Sequence, residues 1–202
     1  VGDRGFSLQV KATDTVGRLD LIGNQSIEAS FKMWGRLGNP TVDGKMTWID
    51  AQKLAMECLA RDGEAIIIKH RSNRFKDSFA LEFLEPDQLD EEKSERLPNG
   101  NEIRMGVEID RFRRPVAYHL LTYHPGDYDF TNQTRSTKHV RVPADRVIHL
   151  FMPLRAGQTR GEPWLAPALS ALKQLDGFRE AAIVNARIGA SKMGFFTSPS
   201  GD

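Results

Sequence analysis

The chain has 202 residues, enough for one domain with a real core or one core carrying a smaller subdomain. Apolar residues make up 40% and charged residues 27%, which excludes a disordered chain; 28 basic against 27 acidic residues exclude a broad phosphate-neutralising surface but leave room for a local basic patch. No apolar run reaches membrane-spanning length, the start "VGDRGFSLQV" lacks the layout of a signal peptide, and Cys58 has no second cysteine to pair with, so a soluble protein of a reducing compartment such as a bacterial cytoplasm is expected.

The first block, residues 1–62, reads as mainly helical. "RLDLIGNQSIEASFKMWGRLG" carries Ile22, Ile27, Phe31 and Trp34 at three- and four-residue spacings and meets helix-ending residues at Gly38, Asn39 and Pro40. Thr47 with Asp50 three residues on has the form of a capping box. Ala51, Leu54, Ala55, Cys58 and Leu59 follow as one apolar stripe, and Gly63 stands where a left-handed cap closes a helix.

The second block, 63–151, reads as β-rich. "EAIIIKHR" has the continuous apolar core of a buried strand, and "FALEFLE" alternates Phe79, Leu81 and Phe83 on one face. "PDQLDEEKSERLPNGNE" is polar and ends in the turn pair Asn99-Gly100, so it reads as a surface loop without chemistry. Ile103, Met105, Val107 and Ile109 alternate with polar residues and Gly, which predicts one half-buried strand, paired with "PVAYHLLTY" across the turn "DRFRRP". "HVRVP" and "RVIHLF" add two short strands around a turn at Ala144 and Asp145.

The third block, 152–202, is a Gly-punctuated connector and one long helix starting near Trp164. Leu165, Ala168, Leu169, Leu172 and Leu175 keep the helical stripe, continued by Phe178, Ala182, Ile183 and Ala186. Pro163 and Pro167 fall before or within the first turn, where a missing N–H costs little, whereas Gly177 implies a close approach or a bend. The small-residue run "RIGASKMGFF" ends the helix, and a start without Met with a loop-like end at "TSPSGD" points to a piece of something longer.

Residues that could carry catalysis do not assemble into a site. "GQTRGEPW" lacks the Gly spacing and the Lys-Ser/Thr pair of a phosphate loop, and Glu162 after Gly161 would repel an anion. No nucleophile elbow exists, Ser170 and Ser191 lie in a helix without a local base, and Cys58 belongs to an apolar stripe. His70, His119, His124, His139 and His149 show no zinc-binding spacing. His124, Asp127 and Asp129 around Pro125-Gly126 read as solvated turn residues before they read as metal ligands. No catalytic residue, cofactor or metal site is expected. Arg111, Arg113 and Arg114 around Phe112 are candidates for DNA contact, and Arg135, Lys138, His139 and Arg141 form a second basic cluster, each with a solvated loop tip as the default reading.

The run "RVPADRVIHLFMPLRAGQTRGEPWLAPALSALKQLDGFREAAIVNARIGASKMGFF" resembles a segment of lambda-type tailed-bacteriophage portal proteins: a strand ending V-I-H-x-F, a short loop, G-Q-x-R-G, a bulky residue and a long helix. "LARDGEAIIIKH" is similar to the family's helix, D-G-E and strand, and "GVEIDRFRRPVAYHL" to its G-V-E-x-D turn and R-P-V-A-Y, although Phe112 and Arg113 stand where Gly is usual. The resemblance implies an α+β wing-like body with two N-terminal helices, an antiparallel sheet block and a long C-terminal helix, spanning 1–202 as a single region without stem or clip. It implies a structural homo-oligomeric ring, usually a dodecamer, at the capsid vertex of a virion assembled in the bacterial cytoplasm. The partners so implied are capsid and scaffold proteins, terminase and head-completion proteins, and double-stranded DNA passing through the channel, with no membrane. A phage binding module sharing the fold, and an enzyme whose site comes from residues distant in sequence, stay open as alternatives. Without the inner helices this piece is expected to be monomeric or weakly associating.

Arg155, Gly157, Arg160, Gly161, Pro163 and Trp164 are then the residues of an angle-setting connector or a subunit interface. Trp164 and Leu165 are expected to anchor the helix on the sheet. Arg160 is expected to make a charge-assisted bond to a carboxylate or to loop carbonyls, within or between subunits.

Overall fold

The computed structural model describes residues 5–122, 124–126 and 139–191, in two compact units that divide between Trp164 and Leu165. The first unit carries helices α1 (Leu21–Trp34) and α2 (Trp48–Arg61) and strands β1 (Glu64–Arg71), β2 (Phe79–Leu84), β3 (Glu95–Arg96), β4 (Glu102–Arg104), β5 (Val107–Ile109), β6 (Pro115–Leu121), β7 (His139–Pro143) and β8 (Val147–Phe151). The second carries helix α3 (Ala166–Ser191). The fold is α+β, with two antiparallel sheets in the orders β2-β1-β8 and β3-β4-β5-β6-β7.

The continuous apolar run of β1 follows from its burial on both faces. Successive side chains of a strand point to opposite sides, and Ile66 and Ile68 join a core with Leu89, Val107, Ile109, Tyr118 and Leu120 that draws on both sheets. Ile67 points the other way, into Trp34 and Leu81, with Phe31, Trp48, Phe79 and Phe83 packed around them. That second cluster is aromatic: the Trp34 ring lies 5.5 Å from Trp48 and 5.8 Å from Phe79, and its indole Nε1 donates to the Phe79 carbonyl at 3.1 Å. Each buried Ile contributes about 1.5–3 kcal/mol over an exposed one, so β1 is the strand that holds the unit together.

Helix α2 starts with the full capping box, Thr47 and Asp50 each bonding the other's backbone N–H. It buries Ala51, Ala55 and Cys58, and Gly63 follows at φ 88° with its N–H on the Cys58 carbonyl. Helix α1 departs from the expected run to Gly38–Pro40. It stops at Trp34, where the Gly35 N–H closes onto Phe31 and the Gly35 carbonyl accepts from Trp48 at the start of α2. Ile22 and Ile27 of the predicted stripe are exposed, and Asn24 is buried instead, held by two bonds to the backbone of Ala12.

Two β expectations are corrected. The single strand predicted over Ile103–Ile109 is a hairpin, β4 against β5, whose two turn residues Met105 (φ 48°) and Gly106 (φ 82°) are both left-handed. A turn with two positive φ angles matches the twist of paired strands, and the register sets Ile103 opposite Glu108, on the other face of the hairpin from Val107 and Ile109, with all four buried. The segment 86–100 is not a plain surface loop: Pro86 and Leu89 are buried, Leu89 bridges to Leu120, and β3 lies within it. A 3-10 turn at Ala144–Arg146 then carries the chain from β7 in one sheet to β8 in the other.

Helix α3 runs 26 residues, with no buried residue along it. Leu169, Leu172, Leu175 and Phe178 of the predicted stripe are exposed. A Cβ at Gly177 would meet nothing within 4 Å, so no close approach explains that glycine, and the helix runs through it without interruption.

Candidate functional site

Gly63 and Gly161 meet backbone to backbone. A Cβ on Gly161 would lie 2.1 Å from the Gly63 carbonyl oxygen, and one on Gly63 would lie 2.2 Å from the Glu162 carbonyl carbon and 2.5 Å from the Pro163 nitrogen. Only glycine allows this approach, and at Gly63 the positive φ demands it independently. The end of α2 is thereby pressed against the connector that leaves β8.

This approach delivers Glu64, the first residue of β1, to the centre of a buried polar cluster. In the β1–β8 register Glu64 lies opposite Phe151, diagonal to His149, and both side chains stand on the face of Ile66. His149 Nε2 is 2.9 Å from Glu64 Oε2, and the Gly161 N–H donates to the same oxygen at 2.8 Å. Arg160 Nε donates to Glu64 Oε1 at 2.6 Å. Arg160 Nη1 donates to the carbonyls of Leu89 at 3.1 Å and Met105 at 3.0 Å, and Nη2 donates to the Pro86 carbonyl at 3.2 Å and also pairs with Glu64 Oε1.

Only 3% of the Glu64 side chain and 14% of the Arg160 side chain reach solvent. Burial opposes ionisation of Glu64, but the bonds from His149 and Arg160 outweigh it and hold the carboxyl below its ordinary value. A buried charge pair is tolerated when every lone pair and hydrogen finds a partner, and here both groups do. Arg160 therefore ties four segments together: the connector, β1, the Pro86–Leu89 stretch and the Met105 turn.

The other connector residues divide by role. Gln158 Oε1 accepts from the N–H of Leu154 at 2.7 Å and of Arg155 at 3.3 Å, and its amide donates to the Arg160 carbonyl at 2.8 Å, which folds the loop on itself. Gly157 has φ 75°, and the Arg113 guanidinium lies 2.1 Å from where its Cβ would be. Pro163 abuts Gly63, Arg155 is exposed, and Trp164 remains 44% exposed, so its ring is no core anchor of this unit.

A second buried carboxylate, Glu108 on β5, is 1% exposed. Arg141 on β7 donates to it from Nε at 2.7 Å and Nη2 at 3.1 Å, Asn101 donates at 2.8 Å, and His119 lies 3.3 Å away. The Arg141 bonds, working against burial and helped by Asn101 and His119, hold the Glu108 carboxyl at about 2. His119 itself is pushed down by burial against the pull of Glu108.

Of the two basic clusters read from sequence, Arg141 and His139 are paired strand residues, His139 with Asp90 on the 86–90 stretch. Arg135 and Lys138 lie outside the described residues, as do Asp127 and Asp129 of the turn considered for metal. Arg111 lies 4.6 Å from the Phe112 ring centroid, and Arg113 is turned onto Gly157. Sequence reading placed Arg160 but not its acceptor. Glu64 at the head of an apolar strand was the available signal, since a charge there has to be paired.

The stretches D-G-E, V-I-H and G-Q-x-R-G are thus neighbours in space around Glu64 and Arg160, and Met105, just before G-V-E, joins them through its carbonyl. The family model "Phage portal protein, lambda family" matches residues 1–202. The chain belongs to the lambda family of phage portal proteins. The portal chain is also 35% identical over 198 residues to a protein named "Probable portal protein" from Halomonas phage phiHAP-1, covering 97% of the present chain and 38% of that relative. It therefore spans well under half the length of the relative it matches.

Proposed function

We propose that this chain is the wing region of a portal protein, a structural homo-oligomer that forms the ring at one capsid vertex through which double-stranded DNA is packaged and ejected. Residues 1–202 form one wing region, and the stem and clip belong to other parts of the longer protein. The ring is a dodecamer, assembled in the host cytoplasm, that meets capsid and scaffold proteins through the body and terminase and head-completion proteins through the parts not spanned here.

The observation that carries this reading is the Glu64–Arg160 cluster. Its polar groups are used up inside the fold, fastening a connector rather than facing a substrate. A protein whose task is to hold subunits at fixed angles needs such a fastening where a sheet passes into a long helix. The exposed apolar stripe of α3 fits a surface completed by assembly.

Light scattering and electron microscopy on the complete gene product test the proposal. A closed ring with a duplex-sized hole is expected, and a compact monomer in physiological salt would overturn it.

A further inference from the structure

The tip joining β1 to β2 carries three exposed cations within six residues, none of them in an ion pair among the described residues. The sequence there runs Lys69-His70-Arg71-Ser72-Asn73-Arg74-Phe75-Lys76-Asp77-Ser78. The tip is ordered by its own backbone: Ser72 N–H bonds Ser78 O at 3.2 Å, Phe75 N–H bonds Ser72 O at 3.0 Å, and Ser78 N–H bonds Phe75 O at 3.0 Å. His70 faces Phe75 edge-on at 6.4 Å and engages the Glu82 carboxylate at 2.6 Å, so Glu82 is spent on the imidazole.

Five cations of this unit sit on carboxylates: Arg61 on Asp62, Lys93 on Glu95, Arg104 on Glu102, Arg141 on Glu108 and Arg160 on Glu64. Arg71, Arg74 and Lys76 are exposed and form no ion pair among the described residues, even though Asp77 shares their turn. An open depression of about 510 Å³ lies beside them, lined by Arg71, Ser72, Asn73, Asp77, Ser78 and Phe79. The Ser78 hydroxyl donates to Asn73 Oδ1 at 3.4 Å, which leaves the Ser72 hydroxyl, the Asn73 amide hydrogens and the Arg71 guanidinium as donors for phosphate oxygens, against one opposing carboxylate, Asp77.

We infer that the β1–β2 tip is a docking site for the phosphate backbone of nucleic acid, independent of base sequence. Guanidinium groups with flanking Ser and Asn donors match phosphates that lie in a row, while the aromatic rings of the tip are engaged within the fold, Phe75 with His70 and Phe79 with Trp34. A point contact of this kind is compatible with the near-neutral whole chain, whose charge of +1 gives no general attraction. The inference rests on the tip alone and stands whether or not the longer protein closes into a ring.

The test is fluorescence anisotropy of the 202-residue chain with a labelled random-sequence duplex across a sodium chloride series. Three phosphate contacts predict a slope of log K against log salt of about −2.7, or about a fortyfold loss of affinity between 50 and 200 mM salt. The variant Arg71→Gln/Arg74→Gln/Lys76→Gln is expected to lose most of that slope while keeping the wild-type melting temperature. Asp77→Asn, which removes the one acidic group of the tip at a left-handed position that Asn tolerates, is expected to bind several-fold tighter at low salt. Arg111→Gln/Arg114→Gln is expected to keep the slope. The inference is overturned if the wild-type chain does not bind the duplex, if the triple variant keeps the full slope, or if polyglutamate at matched charge displaces the duplex equally well, which would assign the tip to an acidic protein segment.

Discussion

Two buried glutamates of this chain are each faced by an arginine and a histidine, yet they do different work. Glu108 draws its partners Asn101, His119 and Arg141 from the sheet it belongs to or from the loop leading into it, and Arg141 keeps a side chain 49% exposed. Glu64 draws on His149 across its own sheet and on Arg160 and Gly161, 96 and 97 residues away in sequence, and Arg160 reaches on to three further carbonyls. The first cluster stiffens a surface already made by strand pairing. The second fixes where a chain leaves one sheet, so its loss should be felt in the connector.

Removing a guanidinium from each cluster separates them. Arg160→Ala leaves a buried carboxylate and three carbonyls without their donor, so a loss of about 3–5 kcal/mol is expected in urea denaturation. Gly161→Ala, whose added methyl overlaps the Gly63 carbonyl, should cost more than about 2 kcal/mol through forced backbone movement, read by the same denaturation curve. Arg141→Ala should cost less, about 1–3 kcal/mol, because the buried Glu108 keeps its bonds to Asn101 and His119 and water can reach the half-exposed position of the arginine. Leu172→Gln on the exposed face of α3 should stay within about 0.5 kcal/mol in the isolated chain. Equal costs for the two arginine variants would erase the distinction.

Acid sharpens the same comparison. Glu64 and Glu108 both have folded values below their ordinary one, Glu108 at about 2. Their contribution is complete above the unfolded carboxyl value, about 4.3, and is lost as pH falls through the folded values. Denaturation midpoints should therefore fall between about pH 4.3 and pH 2, and Glu108→Gln should flatten that fall.

The local elements were legible because their causes are local. The capping box at Thr47 and Asp50, the left-handed Gly63 and the apolar run of β1 each carry their reason within a few residues. The β4–β5 hairpin was missed because apolar residues at every second position mimic one half-buried strand, whereas the fold-back at Met105-Gly106 sets Ile103 on the other face from Val107 and Ile109 and both faces are buried. The connector was visible as a Gly-rich loop with Arg160 in it. That its partner is Glu64 depends on β8 pairing with β1 and on a glycine contact between distant positions, which no window of sequence contains. Exposure of α3 was equally hidden, since an apolar stripe marks a face to be covered but not what covers it.

The most direct measurement is ring assembly of the complete gene product carrying Arg160→Ala beside the same product carrying Arg141→Ala, by light scattering at a temperature where both are folded. The account predicts that the Arg141 variant assembles as the wild type does, while the Arg160 variant gives fewer or irregular rings. An Arg160 variant that melts and assembles like the wild type would contradict it.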